Sequence, residues 1–98
     1  MRNIPFEKLE FMAIILKTIS HPIRIQIIEL LEYNEKLSVN DICEKLGSIE
    51  QSLLSHHLIK MKDKGILKSK KEGQFVYYSL YLKEVSNMLD CMERCPIK

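Results

Sequence analysis

Leu54, Leu58 and Met61 recur at i, i+4 and i+7, the spacing of one buried helical stripe. No other feature constrains the architecture as tightly, because the neighbouring positions are polar: Gln51, Ser52, Ser55 and His56 all fall away from the stripe. A helix here buries one face and presents short or planar hydrogen-bonding groups on the other. Such groups reach base edges or phosphates without a long flexible stem. A lysine-rich segment follows at once, with Lys60, Lys62, Lys64, Lys68, Lys70 and Lys71. A polar helix followed by a basic segment implies double-stranded DNA as the partner.

The flanking segments supply the rest of a fold. Phe6, Leu9, Met12, Ala13, Leu16 and Ile19 form the apolar stripe of a first helix over 6–19. Ser20-His21-Pro22 breaks it, and Pro22 suits the first position of a second helix running to about Tyr33, with Ile23, Ile27, Leu30 and Leu31 inward. Ser38 caps a short third helix, with Asp41 completing a capping box, and Gly47 ends it. Ser48 and Gln51 have the spacing of a second box, so the fourth helix is expected over about 49–64, closed by Gly65. Helices three and four then stand one short turn apart, the spacing of a helix-turn-helix. Ile66–Lys70 and Gln74–Leu80 flank Lys71-Glu72-Gly73 and predict a two-stranded hairpin. Residues 82–95 return to a helical pattern, with Val85, Met88, Leu89 and Met92 on one stripe and Pro96 as the stop. The expected fold is mainly α (α+β): a winged helix-turn-helix of about five helices with a two-stranded wing, one domain over residues 1–98.

Composition narrows the function classes. A hydrophobic content of 46% excludes a disordered chain, and no linker, repeat or low-complexity tract divides it. Apolar runs are far shorter than a membrane span, and Glu7, Lys8 and Glu10 interrupt the amino end, so a cytoplasmic protein with no membrane partner is expected. Net charge is only +2, but it is unevenly spread: residues 29–44 carry −4 and residues 45–71 carry +5. One basic surface on a balanced chain is the footprint of a phosphate-binding face, although a plain solvated surface has the same composition. Three cysteines, Cys43, Cys91 and Cys95, are an odd count that argues against a disulfide framework, and reduced thiols are the default.

The motifs together resemble the ArsR/SmtB family of bacterial winged-helix repressors. The similar stretches are Ser20-His21-Pro22-Ile23-Arg24, Ile27-Ile28-Glu29-Leu30-Leu31, Leu37-Ser38-Val39-Asn40-Asp41-Ile42, Gln51-Ser52-Leu53-Leu54-Ser55-His56-His57-Leu58, Lys64-Gly65-Ile66-Leu67, and Glu72 through Leu80. The resemblance implies a homodimer built from the first and last helices, with two recognition helices in successive major grooves of a palindromic operator, and repression relieved by an inducer. It places base-reading positions at Gln51, Ser52, Ser55 and His56, and wing contacts at Lys70, Lys71 and Gln74. Lys60 joins the basic surface. One departure is the turn Gly47-Ser48-Ile49-Glu50, a residue longer than usual before the recognition helix. The serine hydroxyls can donate or accept at either base type, and Gln51 can read adenine with two hydrogen bonds. His57 is expected to pack on the inner side of the helix.

Metal-sensing members of that family hold metal through paired cysteines in the third helix or carboxylate and histidine sets in the last. Here the third-helix positions are Ser38 and Asn40, and Leu82 and Glu84 stand where the last-helix set begins. Neither set suits a soft ion. What remains is Cys91 and Cys95 at i, i+4, a spacing that puts two thiols on one helical face for a soft metal ion, arsenite or oxidation. A third ligand would come from Cys43 or from a second copy. Core packing of cysteine is the competing reading, above all for Cys43 at helical spacing with Val39, Ile42 and Leu46. Two other functions are compatible with the same pattern: a winged-helix module that binds protein or RNA, and a regulator with no metal or thiol inducer. An enzyme is disfavoured, since Ser52 and His56 have no oxyanion donor or third partner.

Overall fold

The computed structural model describes residues 1–96. Its elements run α1 (Phe6–Ile19), α2 (Pro22–Tyr33), β1 (Leu37–Ser38), α3 (Val39–Lys45), α4 (Gln51–Asp63), β2 (Leu67–Glu72), β3 (Phe75–Leu80) and α5 (Val85–Glu93). This is the expected five-helix winged helix-turn-helix, with one addition. The sheet has three antiparallel strands in the order β1-β3-β2, because Leu37 and Ser38 pair with Tyr78 and Tyr77. Two residues are too few for alternation to reveal a strand.

Local chemistry explains the boundaries. Pro22 occupies the first turn of α2, while the His21 ring accepts the Ile23 amide at 3.1 Å. Ser38 and Asp41 form the reciprocal box at the start of α3, each side chain bonded to the other's backbone N–H. The second expected box does not form. Gly47 and Ser48 are both left-handed, at φ 76° and 60°, so Ser48 lies inside the turn and cannot open a helix. Glu50 caps α4 instead, its carboxylate accepting the Leu53 amide at 2.7 Å. The helix therefore spans Gln51–Asp63 rather than 49–64.

The hairpin is tighter than its expected Lys71-Glu72-Gly73 connection. Glu72 pairs with Phe75, leaving Gly73 and Gln74 as a two-residue turn in which Gly73 supplies φ 64°. Lys71 is thus a strand residue and Gln74 a turn residue. The last helix is also shorter than 82–95. Cys95 lies beyond the end of α5, its amide on the Met92 carbonyl at 3.1 Å. Pro96 disfavours helical backbone at the residue before it, which accounts for the early stop.

One hydrophobic cluster joins the helices to the sheet. Ile27, Ile28, Ile42, Leu54, Leu58, Met61 and Ile66 are fully buried in it. The apolar stripe of α1 is mostly uncovered. Ile15, Thr18 and Ile19 are its buried residues, whereas Phe6, Leu9, Met12 and Leu16 are exposed along with Phe11 and Ile14. Helical periodicity identifies an apolar face without saying what covers it. On α5, Val85 is buried, Met88 and Leu89 are half-buried, and Met92 is exposed. Among the described residues no single helix is long and apolar enough to cross a membrane.

Ile42 is fully buried between the helix-turn-helix and the sheet, so Ile42→Ala should cost about 2–5 kcal/mol by lost burial and the cavity left behind. Urea denaturation followed by circular dichroism measures this, and a cost under about 0.5 kcal/mol would mean that α3 is not anchored through this side chain.

Candidate nucleic-acid interface

Burial of Leu54, Leu58 and Met61 turns the other side of α4 outward. Gln51, Ser52 and His56 are exposed and Ser55 is half-buried. Ser52, His56 and the exposed Lys60 follow one another at i, i+4 and i+8, an outward row along the helix. Gln51 and Ser55 form the adjacent row and open onto a cleft of about 370 Å³. Asn40 of α3 and Gln74, Phe75 and Val76 of the wing line the same cleft. The helix and the wing tip thus converge on one polar surface.

The wing lysines divide between its two sides. Lys71 pairs with Val76, one of the cleft residues, whereas Lys70 pairs with Tyr77 on the opposite face of the hairpin. Lys70 shares that face with Lys68, Glu72 and Tyr77. There the Lys36 ammonium holds the Glu72 carboxylate at 2.7 and 2.8 Å and lies 4.8 Å from the Tyr77 ring centroid. This contact ties the wing to the segment before β1. The hydrogen bond from Lys36 holds the Glu72 carboxyl below the usual carboxylate range.

His57 faces inward, as its position opposite the polar row required, and is 3% exposed. Arg24 donates from Nε to His57 Nδ1 at 3.0 Å and from Nη1 to the Thr18 carbonyl at 2.9 Å. One guanidinium therefore links the end of α1, the start of α2 and α4. Because Nδ1 accepts, the neutral ring carries its proton on Nε2, which is buried without a partner among the described residues. Burial, followed by the Arg24 charge and the neighbouring His21 and His56, lowers the His57 pKa from its usual 6.5.

Two residues of this surface were not anticipated. Glu50 reaches over the first turn of α4, where the Ser52 hydroxyl donates to both of its oxygens at 2.6 and 2.7 Å. Arg24 was noticed only as part of a motif. For Glu50 the available signal was a carboxylate three residues before Leu53, obscured by the Ser48–Gln51 spacing. The Arg24 contact crosses 33 positions and leaves no local signal.

The thiols are not gathered into a site within one chain. Cys43 sits on α3 and its Sγ donates to the Ile49 carbonyl at 3.1 Å, bracing the long turn. Cys91 and Cys95 are both exposed, one on the last turn of α5 and one past it. Among the described residues no three histidine, cysteine or acidic side chains are grouped so as to hold a metal ion, so Cys43 does not complete a site with the pair.

Comparison with known proteins agrees with this architecture. The family model described as bacterial regulatory protein, arsR family, matches residues 21–69, the stretch from the start of α2 into the wing. The chain belongs to the ArsR family. It is 36% identical to the transcriptional repressor PagR of Bacillus anthracis over 87 residues, covering 89% of this chain and 86% of that protein. It is also 36% identical to the transcriptional activator HlyU of Vibrio cholerae over 82 residues, covering 84% of this chain and 74% of that protein. The crystal structure of PagR superposes with a TM-score of 0.80 at 34% identity, over 90% of this chain and 99% of that chain. A structure of Vibrio cholerae HlyU superposes at 0.79 and 30% identity over all of both chains. This member of the ArsR family is accordingly a DNA-binding transcriptional regulator and not an enzyme.

The lowered His57 pKa fixes a sign for the acid response. Above about pH 6.5 neither folded nor unfolded chain protonates this ring; below it the unfolded chain takes the proton first, so folding stability falls with pH until the folded ring also titrates. Denaturation at about pH 7.5 and about pH 5.5 should show a loss of stability in the native protein that is smaller in His57→Leu. An equal loss in both would remove His57 from the acid response.

Proposed function

We propose that the protein is a homodimeric repressor that sets two α4 helices into successive major grooves of a palindromic operator. Gln51, Ser52, Ser55 and His56 read bases, while Lys60, Lys71 and Gln74 hold the backbone and the groove edges and Lys70, on the outer face of the wing, adds charge attraction to phosphate. The observation that carries this reading is the polar row of α4 standing over a fully buried stripe, beside a wing that closes the same cleft. Lysine contacts to phosphate add affinity with a strong salt dependence, and the base contacts add sequence choice.

The dimer is supported by the uncovered apolar face of α1. Phe11, Met12 and Leu16 border a groove of about 550 Å³ with Leu82 and Met88 on the other side, next to α5. A second copy laid against α1 and α5 buries that surface. A two-fold dimer of this kind suits the two half-sites of a palindrome.

Release by a soft metal ion, arsenite or oxidation at Cys91 and Cys95 is the inducer step of this proposal. It is supported by two exposed thiols four residues apart and by a relative named for cadmium resistance, the CadC homolog of Staphylococcus aureus, 35% identical over 78 residues. Further ligands then come from the second copy. A second reading, a regulator that no metal or thiol reagent releases, is favoured by the lack of a three-ligand cluster among the described residues.

Fluorescence anisotropy of the reduced, metal-free protein on the promoter of its own gene tests both parts. Native protein should bind tightly, with affinity falling steeply as salt rises, and Ser55→Ala with His56→Ala should weaken binding about tenfold or more. Unchanged affinity would remove α4 from the reading role. Zn²⁺, Cd²⁺, arsenite or a thiol oxidant should release the native protein but not Cys91→Ser with Cys95→Ser. Release of both proteins alike, or of neither, would leave the pair without a sensing role.

A further inference from the structure

Glu50 places a full negative charge at the end of the helix that approaches DNA. Its carboxylate accepts the Leu53 amide and the Ser52 hydroxyl, and it is exposed. Capping alone does not call for glutamate, since Ser, Thr, Asp and Asn are the preferred caps. A carboxylate also repels every phosphate within a screening length of roughly 8–10 Å. Beyond its capping bond, its position therefore lowers affinity for DNA in general and favours binding only where a base offers it a donor.

The hydrogen-bond count defines that base. The single Ser52 proton is donated to Glu50, so in this arrangement Ser52 presents only lone pairs outward. Glu50 spends part of its acceptor capacity on Ser52 and Leu53 and keeps the rest. Side by side, the two residues form a patch of acceptors. In the major groove cytosine N4 and adenine N6 are donors, whereas guanine N7 and O6 and thymine O4 are acceptors. Resting on the reading of α4 as the base-reading helix, we infer that Glu50 and Ser52 act together as a specificity element that admits cytosine or adenine on the strand they face and rejects guanine or thymine.

This narrows what Ser52 does. A free serine hydroxyl accepts or donates, but one committed to a carboxylate only accepts. Gln51, with both amide donor and acceptor, remains able to read a purine edge beside it.

Selection from duplexes with randomised half-sites tests the inference, using native protein, Glu50→Gln and Ser52→Ala. The glutamine keeps a carbonyl oxygen for the Leu53 amide, so the cap is retained while the charge and the acceptor-only character are lost. Native protein should enrich sites with cytosine or adenine at one step of each half-site. Glu50→Gln should lose that preference and bind unrelated duplexes more tightly, while Ser52→Ala, which removes one acceptor but keeps the charge, should weaken the preference without tightening binding to unrelated duplexes. A second measurement uses native protein alone: replacing adenine by purine, or cytosine by 2-pyrimidinone, at that step removes the amino group and should weaken binding by about tenfold. Identical base preferences for native protein and Glu50→Gln, or indifference to the missing amino group, would overturn the inference. Failure of native protein to enrich any sequence would overturn the DNA-reading assignment itself, and the inference with it.

Discussion

The polar face proposed to read DNA depends on how firmly α4 is seated by its other side. Leu54, Leu58 and Met61 are fully buried against a cluster that includes Ile27, Ile28 and Ile42. Close-packed apolar contact fixes the rotation of a helix, because turning it exposes leucine and buries polar groups at once. His57 adds direction to that packing: through Arg24 it ties the recognition helix to the carbonyl of Thr18 at the end of α1. A helix held this way presents Gln51, Ser52, Ser55 and His56 in a set orientation, and a set orientation is what base-edge hydrogen bonds require.

The same arrangement connects the reading face to the face assigned to the dimer. α1 contributes Ile15, Thr18 and Ile19 to the core and leaves Phe11, Met12 and Leu16 beside the groove next to α5. A change in how α1 packs can therefore reach α4 through one guanidinium. The cost of moving Arg24 includes stranding a buried imidazole nitrogen whose ring partner is already unpaired among the described residues.

Much of the fold was legible because its signals are local. Pro22 marked the break between α1 and α2, Ser38 and Asp41 marked the start of α3, and the leucine stripe gave α4 its buried face. Failures came where two local signals competed or where the deciding contact was distant. Ser48 and Gln51 imitate a capping box, but two successive left-handed residues carry the turn to Glu50. Pro96 was read as a stop without its effect on Cys95, so the thiols were placed on one helical face that ends before the second. The strand Leu37–Ser38 is visible only once β3 lies beside it. Of the site, the outward placement of Gln51, Ser52, Ser55 and His56 followed from periodicity. The split of Lys70 and Lys71 between wing faces, and the charge of Glu50 over Ser52, needed the register and the cap.

Backbone amide shifts of ¹⁵N-labelled protein, recorded as promoter duplex is added, test the central claim most directly. The account predicts that the largest changes fall on residues 50–60 of the recognition helix and 70–76 of the wing, with the α2–α5 surface around Tyr33 and Asp90 little affected. Changes concentrated on that distant surface, or spread evenly over the chain, would contradict it.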